Sequence, residues 1–438
     1  MKLSLTGDSI LFRRLNSVTD PTISPLFDII RECDVSFTNL ELVPNDFEGD
    51  PALDHGGTHF GARSWVLDEL QDAGFDLFAA ATNHSLDYGI SGLRKSIAEL
   101  EKRNLCYAGI GANLEEARRP TYFTHPTGTV AMISCVSTFA RGQEAAPQTT
   151  IMAGRPGVNP LHFNTAHHVT GAEMEQLQSI YARLGLARDR QQKIQLGFAF
   201  PALENTLSFG NTTFTLADAT RTHTTANESD IGDICRWVRE ARLVSDTVVV
   251  SLHAHESGYN TAGEFDVEIP APFLSVFAHR AIDEGADVVV CHGPHLLRGM
   301  EIYKGHPIFY SLGNFIGQNE LVERLPAESY SVNRAALDLT PHQVYKKRSE
   351  NDRKGFPSDV RFWETVVPIC DFSGSKLNSI EILPVSLNLS RNAHTRGRPA
   401  LATGSEAEKI IDKFMTLSSG CEGVFSREND RLFWSPDA

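Results

Sequence analysis

Residues 285–315, GADVVVCHGPHLLRGMEIYKGHPIFYSLGNF, decide how the rest of the chain is read. Val288 to Val290 form an apolar, β-branched run of the kind found in a strand buried on both faces. The run stops at Cys291-His292-Gly293-Pro294-His295, where Gly and Pro oppose continuation and leave two imidazoles on a tight turn. Neutral imidazole is a strong borderline ligand, so a divalent-metal site fits; so does a buried turn with two hydrogen-bonded histidines. Ligand-type residues at other strand ends decide between them.

Working outward, such residues recur. Leu3 to Thr6 reads as a strand with Asp8 at its end. Asp34 to Thr38 is a second, ending in Asn39-Leu40-Glu41. Phe75 to Ala81 is a third, ending in Thr82-Asn83-His84. Asp246 to Leu252 runs into His253-Ala254-His255-Glu256. Helical spacing falls between them, at Pro21 to Cys33, Ala62 to Ala73, Ser91 to Lys102, Asp230 to Arg242 and Pro272 to Glu284. Strands alternating with helices indicate an α/β layered fold. In such sheets ligands bind beyond the strand carboxyl ends, where Asp8, Glu41, Asn83, His84, His253, His292 and His295 all fall. Singly, each has a plainer role as a turn residue, a surface carboxylate or a satisfied core histidine; together they indicate one shared site.

The chain has 438 residues, 41% of them hydrophobic, enough for a large core. Its net charge of −15 excludes a generic binder of nucleic acid or anionic membranes. No window approaches the roughly 18–20 apolar residues of a membrane span, and Met1-Lys2-Leu3-Ser4 has no signal-peptide pattern. The 7 cysteines are scattered without C-x-x-C spacing, which suits a reduced, cytoplasmic protein.

The order GDSILFRR (7–14), TNLE (38–41), ATNHSLDYG (81–89), YAGIGANLEEARRP (107–120), SLHAHE (251–256) and the opening stretch resembles the CapA family of capsule biosynthesis. That family is named for poly-γ-glutamate synthesis and has a calcineurin-like metallophosphoesterase fold. The resemblance covers most of residues 1–317. It implies a four-layer α/β/β/α sandwich with Asp8, Glu41, Asn83, His253, His292 and His295 as metal ligands, Glu41 standing where a bridging carboxylate is usual. His84, with His295, is implied as catalytic. Such donors suit Mn²⁺, Zn²⁺ or Fe²⁺, as one ion or as two roughly 3.5–4 Å apart. The chain departs from the fold's usual pattern in lacking Asp-x-His after the first strand, in having Glu for Asp at 41, and in closing with His-x-x-His.

Four further residues are candidates for contacting substrate. His255 and Glu256 neighbour His253, Arg298 suits a carboxylate or phosphate or an ion pair with Glu301, and Asn314 lies in the Ser-Leu-Gly-Asn-Phe turn. His55-Gly56-Gly57-Thr58-His59 either lines the pocket or, more simply, is a mobile loop with two solvent histidines. Residues 1–316 form the family domain, with an insertion at about 141–230 beside the active-site edge that holds a helix from Gly171 to Leu184. Residues 317–363, carrying Lys346-Lys347-Arg348 and Arg353-Lys354, read as a polar insertion or lid. Residues 364–438 complete the domain with a hairpin (Thr365 to Phe372, Ile380 to Leu387) and a helix opened by a Ser405–Glu408 capping box. The expected function is a metal-dependent hydrolase of a phosphoester or of a γ-glutamyl amide or peptide. A metal-dependent peptide epimerase and a non-catalytic scaffold remain as alternatives. The partner in each case is a small molecule or peptide, not nucleic acid or membrane.

Overall fold

Alternation along the strands sets the layers. In Thr247–His253, Val249 packs to one side while Val248 and Val250 pack to the other; in Val288–His292, Val288 and Val290 oppose Val289 and Cys291. The inward set meets Leu3 and Leu5 of β1 (Lys2–Ile10), Val35 and Phe37 of β2 (Val35–Leu40) and Leu77 of β3 (Leu77–Ala79). Each such side chain fully withdrawn from water contributes about 1.5–3 kcal/mol. The outward set lies under helices Glu228–Arg242 and Pro272–Asp283, through Ile234, Val238, Phe273 and Phe277. On the far side, α1 (Ser24–Arg31), α2 (Trp65–Asp72) and α3 (Gly89–Lys102) pack Phe27, Leu67 and Leu93 with Phe78 of the first sheet. The result is a four-layer α/β/β/α sandwich. The computed structural model describes residues 1–54, 57–210, 212–392 and 395–436.

The first sheet has 10 strands and the second 6. Their centres are parallel: β1, β2, β3 and β4 (Cys106–Ala108) in one, and Gly128–Val136, Thr247–His253 and Val288–His292 in the other. Parallel strands end at one edge, so the turns carrying the candidate ligands gather there.

Several expectations need correction. Asp8 does not follow β1 but lies within it, at a register shift between Asp8 and Ser9. The strand continues because Asn314–Gly317 pairs with it in parallel. The 141–230 insertion holds, besides its helix Gly171–Arg183, a four-stranded sheet that the sequence reading missed. Its strands are rich in Thr and half-exposed, so they lack an apolar signature. It docks on helix Pro272–Asp283, where Phe163 stacks on Phe273 with ring centroids 4.6 Å apart.

Residues 317–363 fold into short helices, among them Pro341–Arg348, whose Thr340–Gln343 capping box and N-terminal Pro stop its first turn from fraying. At 364–386 the hairpin forms and pairs with β1, but Ser405 is not a cap: Gly404 holds that position without a side-chain bond. A second hairpin, Val424–Glu428 with Arg431–Ser435, extends the same sheet. His59 is buried and bonded through Nε2 to the Ala52 carbonyl, not a solvent histidine, while His55 and Gly56 of that loop lie outside the described residues. Among the described residues no helix is long and apolar enough to cross a membrane.

Gly7 shows how tightly β1 is held. The Asp8 N–H donates to the Gly313 carbonyl at 2.9 Å, and a Cβ on Gly7 would stand 1.9 Å from that same oxygen. Gly7→Ala is expected to cost about 3 kcal/mol in urea unfolding. Gly171→Ala, where nothing lies within 4 Å of the added carbon, is expected to change stability by less than about 0.5 kcal/mol.

Candidate metal centre

The edge where the strands end brings two carboxylates and several imidazoles together out of solvent. Asp8, Glu41, His253 and His292 have no exposed surface, and Asn83 and His84 are nearly as buried. Asp8 Oδ1 accepts a hydrogen bond from Asn39 Nδ2 at 2.8 Å, and Oδ2 accepts one from the Gly293 N–H at 3.3 Å. His295 Nδ1 lies 3.3 Å from Asp8 Oδ2 and 3.6 Å from Glu41 Oε2. Glu41 Oε1 is 3.8 Å from both His84 Nε2 and His253 Nε2. Neither Glu41 oxygen, and neither ring nitrogen of His292, has a hydrogen-bond partner among the described residues. Glu41, His255 and His295 each present a ligand atom within 4.8 Å of the others.

Local backbone makes this crowding possible. Gly293 takes φ 115°, and a Cβ there would meet His255 Cδ2 at 2.9 Å, so the turn after Val288–His292 accepts only glycine. His295 itself is held at φ 61°, an unusual value for a non-glycine residue and one often found at functional sites. Its Nδ1 lies 2.9 Å from Asn314 Oδ1. An amide oxygen only accepts, so Nδ1 carries a proton, and in the neutral ring Nε2 is the nitrogen left with a lone pair. His84 is set in the same way: Nδ1 meets Asp87 Oδ2 at 2.7 Å and the ring stacks on Phe60 at 4.1 Å.

Electrostatics follow from burial. Desolvation, with the charges of Asp8 and Asp87 adding to it, pushes Glu41 well above the usual carboxyl range. Burial also acts to raise Asp8, but the hydrogen bond and charge of His295, with the charges of His253 and His292, outweigh it and hold Asp8 far below. Desolvation drives His292 down to about 4 and, helped by the charge of His295, drives His255 down to about 3; His253 is likewise held well below its ordinary value. Neutral imidazoles beside carboxylates are the donor set that borderline divalent ions take. The orphaned Glu41 oxygens are what a cation would satisfy, so the residues fit a metal.

The structure brings Asp8, Glu41, His253 and His295 into direct proximity, with His84 against Glu41 and with Asn83 and His84 lining the cleft that opens above them. His255, expected to touch substrate, stands among the donors, its Nε2 3.2 Å from His253 Nε2. Arg298 does not face the cleft. Its buried guanidinium donates to the Glu256 carbonyl at 3.0 Å, the Val267 carbonyl at 3.1 Å and Ser257 Oγ at 2.8 Å, so it braces the turn. It makes no pair with Glu301, which instead holds His279 and Tyr310. Glu256 is bound by Ser137 and Thr138 hydroxyls, both at 2.7 Å. Asn314 orients His295 and donates to the Phe362 carbonyl at 3.1 Å.

Asn39 and Asp87 were missed. Both sit inside the motifs already quoted, TNLE and TNHSLDYG, and a search for polar partners within those motifs would have found them. Asn39 joins the two sheets, reaching Asp8 on one side and His253 Nδ1, at 3.2 Å, on the other.

The layer order, with these donors at the carboxyl ends of parallel strands, defines a four-layer α/β/β/α fold carrying a candidate divalent-metal site. The chain belongs to the bacterial capsule synthesis protein PGA_cap family, whose pattern matches residues 2–319. It is 32% identical over 430 residues to the uncharacterized protein y4sH of Sinorhizobium fredii, covering 94% of this chain and 88% of that one. It is 23% identical over 322 residues to the PGA biosynthesis protein CapA of Bacillus subtilis, covering 72% of this chain and 63% of that one. A crystal structure described as a 5′-nucleotidase from Staphylococcus aureus, in complex with alpha-ketoglutarate, is similar with a TM-score of 0.39 and 11% identity, covering 95% of this chain and 58% of that one. At that score it bears on neither substrate nor reaction.

A carboxyl raised above its unfolded value stabilises the fold fully below about 4.5 and progressively less as pH rises toward its folded value. Asp8, shifted the other way, adds stability above 3.8 and loses it as pH falls. In chelated, metal-free protein, Glu41→Gln is therefore expected to melt higher than the wild type, by a margin that grows as pH rises above about 4.5. The same variant is expected to lose most of the thermal shift that Mn²⁺ or Zn²⁺ gives the wild type. Melting curves across pH, with and without metal, check both.

Proposed function

We propose that the chain is a metal-dependent hydrolase acting on a phosphoester or on a γ-glutamyl-type amide. The observation that carries this reading is Glu41: a fully buried carboxylate without a hydrogen bond among the described residues, surrounded by imidazoles and flanked by an oriented histidine at the foot of a cleft. A buried charge of this kind is stable only when paired. Asp8, Glu41, Asn83, His253, His292 and His295 are the residues proposed to hold the ion, with His255 added by its position. When bound, a divalent ion there supplies Lewis-acid polarisation of the scissile group and activation of water.

The remaining work falls to the protein's own side chains. Asp87 fixes the His84 ring and its Nδ1 proton, leaving Nε2 turned toward Glu41 and the cleft, where it can give a proton to a leaving group or take one from water. Phe60, stacked on that ring, keeps it from rotating and excludes water from one face. Asn39 holds Asp8, and Asn314 holds His295, so that both are already oriented for the ion they are proposed to hold. The γ-glutamyl arm of the reading is supported by the family's name and by the PGA biosynthesis relative; the phosphoester arm is supported by the fold.

Purified protein is expected to carry metal, or to gain activity with added Mn²⁺ or Zn²⁺, toward an aryl phosphate or a γ-glutamyl anilide. His84→Ala is expected to lower kcat by about 10²–10⁴ while metal content by elemental analysis is unchanged. Substoichiometric metal that added ions do not improve would sink the hydrolase reading and the epimerase alternative together, leaving a binding role. Deuterium uptake at a peptide Cα in D₂O without cleavage would establish epimerisation instead.

A further inference from the structure

The cleft above the centre, about 380 Å³, is walled on one side by the family core and on the other by residues beyond the family match at 2–319. Phe60 and His84 come from the core; Arg348, Lys354, Phe356, Phe362 and Trp363 come from the later segment. This second wall is built, not loosely draped. The Trp363 indole N–H donates to the Phe356 carbonyl at 2.6 Å, Phe356 packs edge-on against Phe362 at 4.3 Å, and Phe356 also meets the His295 ring at 5.3 Å. An aromatic surface therefore runs from the candidate metal ligands outward.

The charges on this wall are few and unequal. Glu320 is already matched by a bidentate contact with Arg396. Lys354 pairs with Glu350 at 2.6 Å. Arg348 pairs with no carboxylate among the described residues; its guanidinium makes one long contact, 3.3 Å, to the Thr58 hydroxyl. A guanidinium on a cleft wall with its fork unused is suited to one carboxylate or phosphate. An extended polyanion would require a row of such cations along an open groove.

We propose that the cleft selects a small anionic substrate with an aromatic or flat apolar body: its reacting group lies at the histidine-rich end, its body lies along Phe356, and a second anionic group is held by Arg348. Arg348 and Phe356 are thus specificity-determining residues supplied by the segment outside the family match, and an extended poly-γ-glutamate chain is not the ligand of this cleft. Aromatic walls favour flat bodies through area and offset or edge contacts, and a few placed polar groups fix orientation. Resting on the hydrolase reading only for where the reacting group sits, this selectivity is a property of the wall and is measurable without turnover.

The test uses the full chain loaded with Mn²⁺ and non-hydrolysable phosphonates, with affinities from calorimetry. Methylphosphonate, benzylphosphonate and benzylphosphonates bearing a para carboxylate, directly or through one or two methylenes, form the series. Benzylphosphonate is expected to bind more tightly than methylphosphonate, and the best carboxylated member to gain at least about tenfold over benzylphosphonate. Arg348→Ala is expected to abolish that tenfold gain, with Arg348→Lys keeping part of it. Phe356→Ala is expected to erase the advantage of benzyl over methyl. Arg348 is exposed, so its variants report binding and not folding. No binding by any member, no gain from the carboxylate, a gain that survives Arg348→Ala, or displacement of benzylphosphonate by poly-γ-glutamate would each overturn the proposal. Selectivity without hydrolysis of either an aryl phosphate or a γ-glutamyl anilide would defeat the hydrolase reading alone; hydrolysis without Arg348 dependence would defeat this inference alone.

Discussion

Two carboxylates from one sheet, Asp8 and Glu41, face imidazoles from the other at an edge where neither carboxyl has exposed surface. Nearly everything else at this edge answers to that constraint. Removing a carboxylate from water costs several kcal/mol unless a cation or hydrogen bonds replace the lost hydration. Asp8 has such replacement in Asn39, Gly293 and His295 and stays ionised; Glu41 has no hydrogen bond among the described residues and is pushed toward its neutral form. The asymmetry between two neighbouring carboxyls is the physical mark of a place for a cation. It also couples the sheets, since Asn39 spans them at the point where their charges meet.

The same constraint explains which side chains were misassigned from sequence. Arg298 and Glu256 are ionisable residues beside ligand motifs, and by type they suit a substrate site. In three dimensions Arg298 is spent on the carbonyls of Glu256 and Val267, and Glu256 on two hydroxyls. Both brace the turn that carries His255. Residue type and proximity in sequence mark the neighbourhood of a site, but the direction a side chain takes depends on contacts from elements far along the chain. The Ser137 and Thr138 hydroxyls that hold Glu256 lie more than a hundred positions upstream, and no local pattern points from one to the other.

The fold was more legible than the site because it is written in local alternation. Val248, Val249 and Val250, or Val288, Val289 and Val290, read as strands buried on both faces, and that is how they pack. Where burial is one-sided, legibility fell. Thr212–Leu216 and Arg221–Ala226 carry Thr and His on a half-exposed sheet, and nothing in their composition separates them from loop. At Ser405 the capping-box spelling was present, yet Gly404 took the cap position, without a side-chain bond. At Thr340 the same spelling formed the box. A capping motif states a local option, and tertiary partners decide whether it is used.

A division of labour follows from where the chain's parts sit. The residues that gather around Glu41 all lie within the family match, on ends of strands whose positions are set by two-sided burial, and rigid strands hold such groups more precisely than loops do. The opposite wall of the cleft lies almost wholly beyond that match, on short helices and turns fixed to the core through Trp363, Phe362 and the Asn314 amide. Asn314 joins the two, since its amide oxygen orients His295 and its amide N–H donates to the Phe362 carbonyl. A change in the outer wall can therefore alter what the cleft admits without moving the donors, whereas a change at Asn314 disturbs both. On the proposed reading, the chemistry is kept on the strands and the choice of molecule is left to the segment that forms the opposite wall.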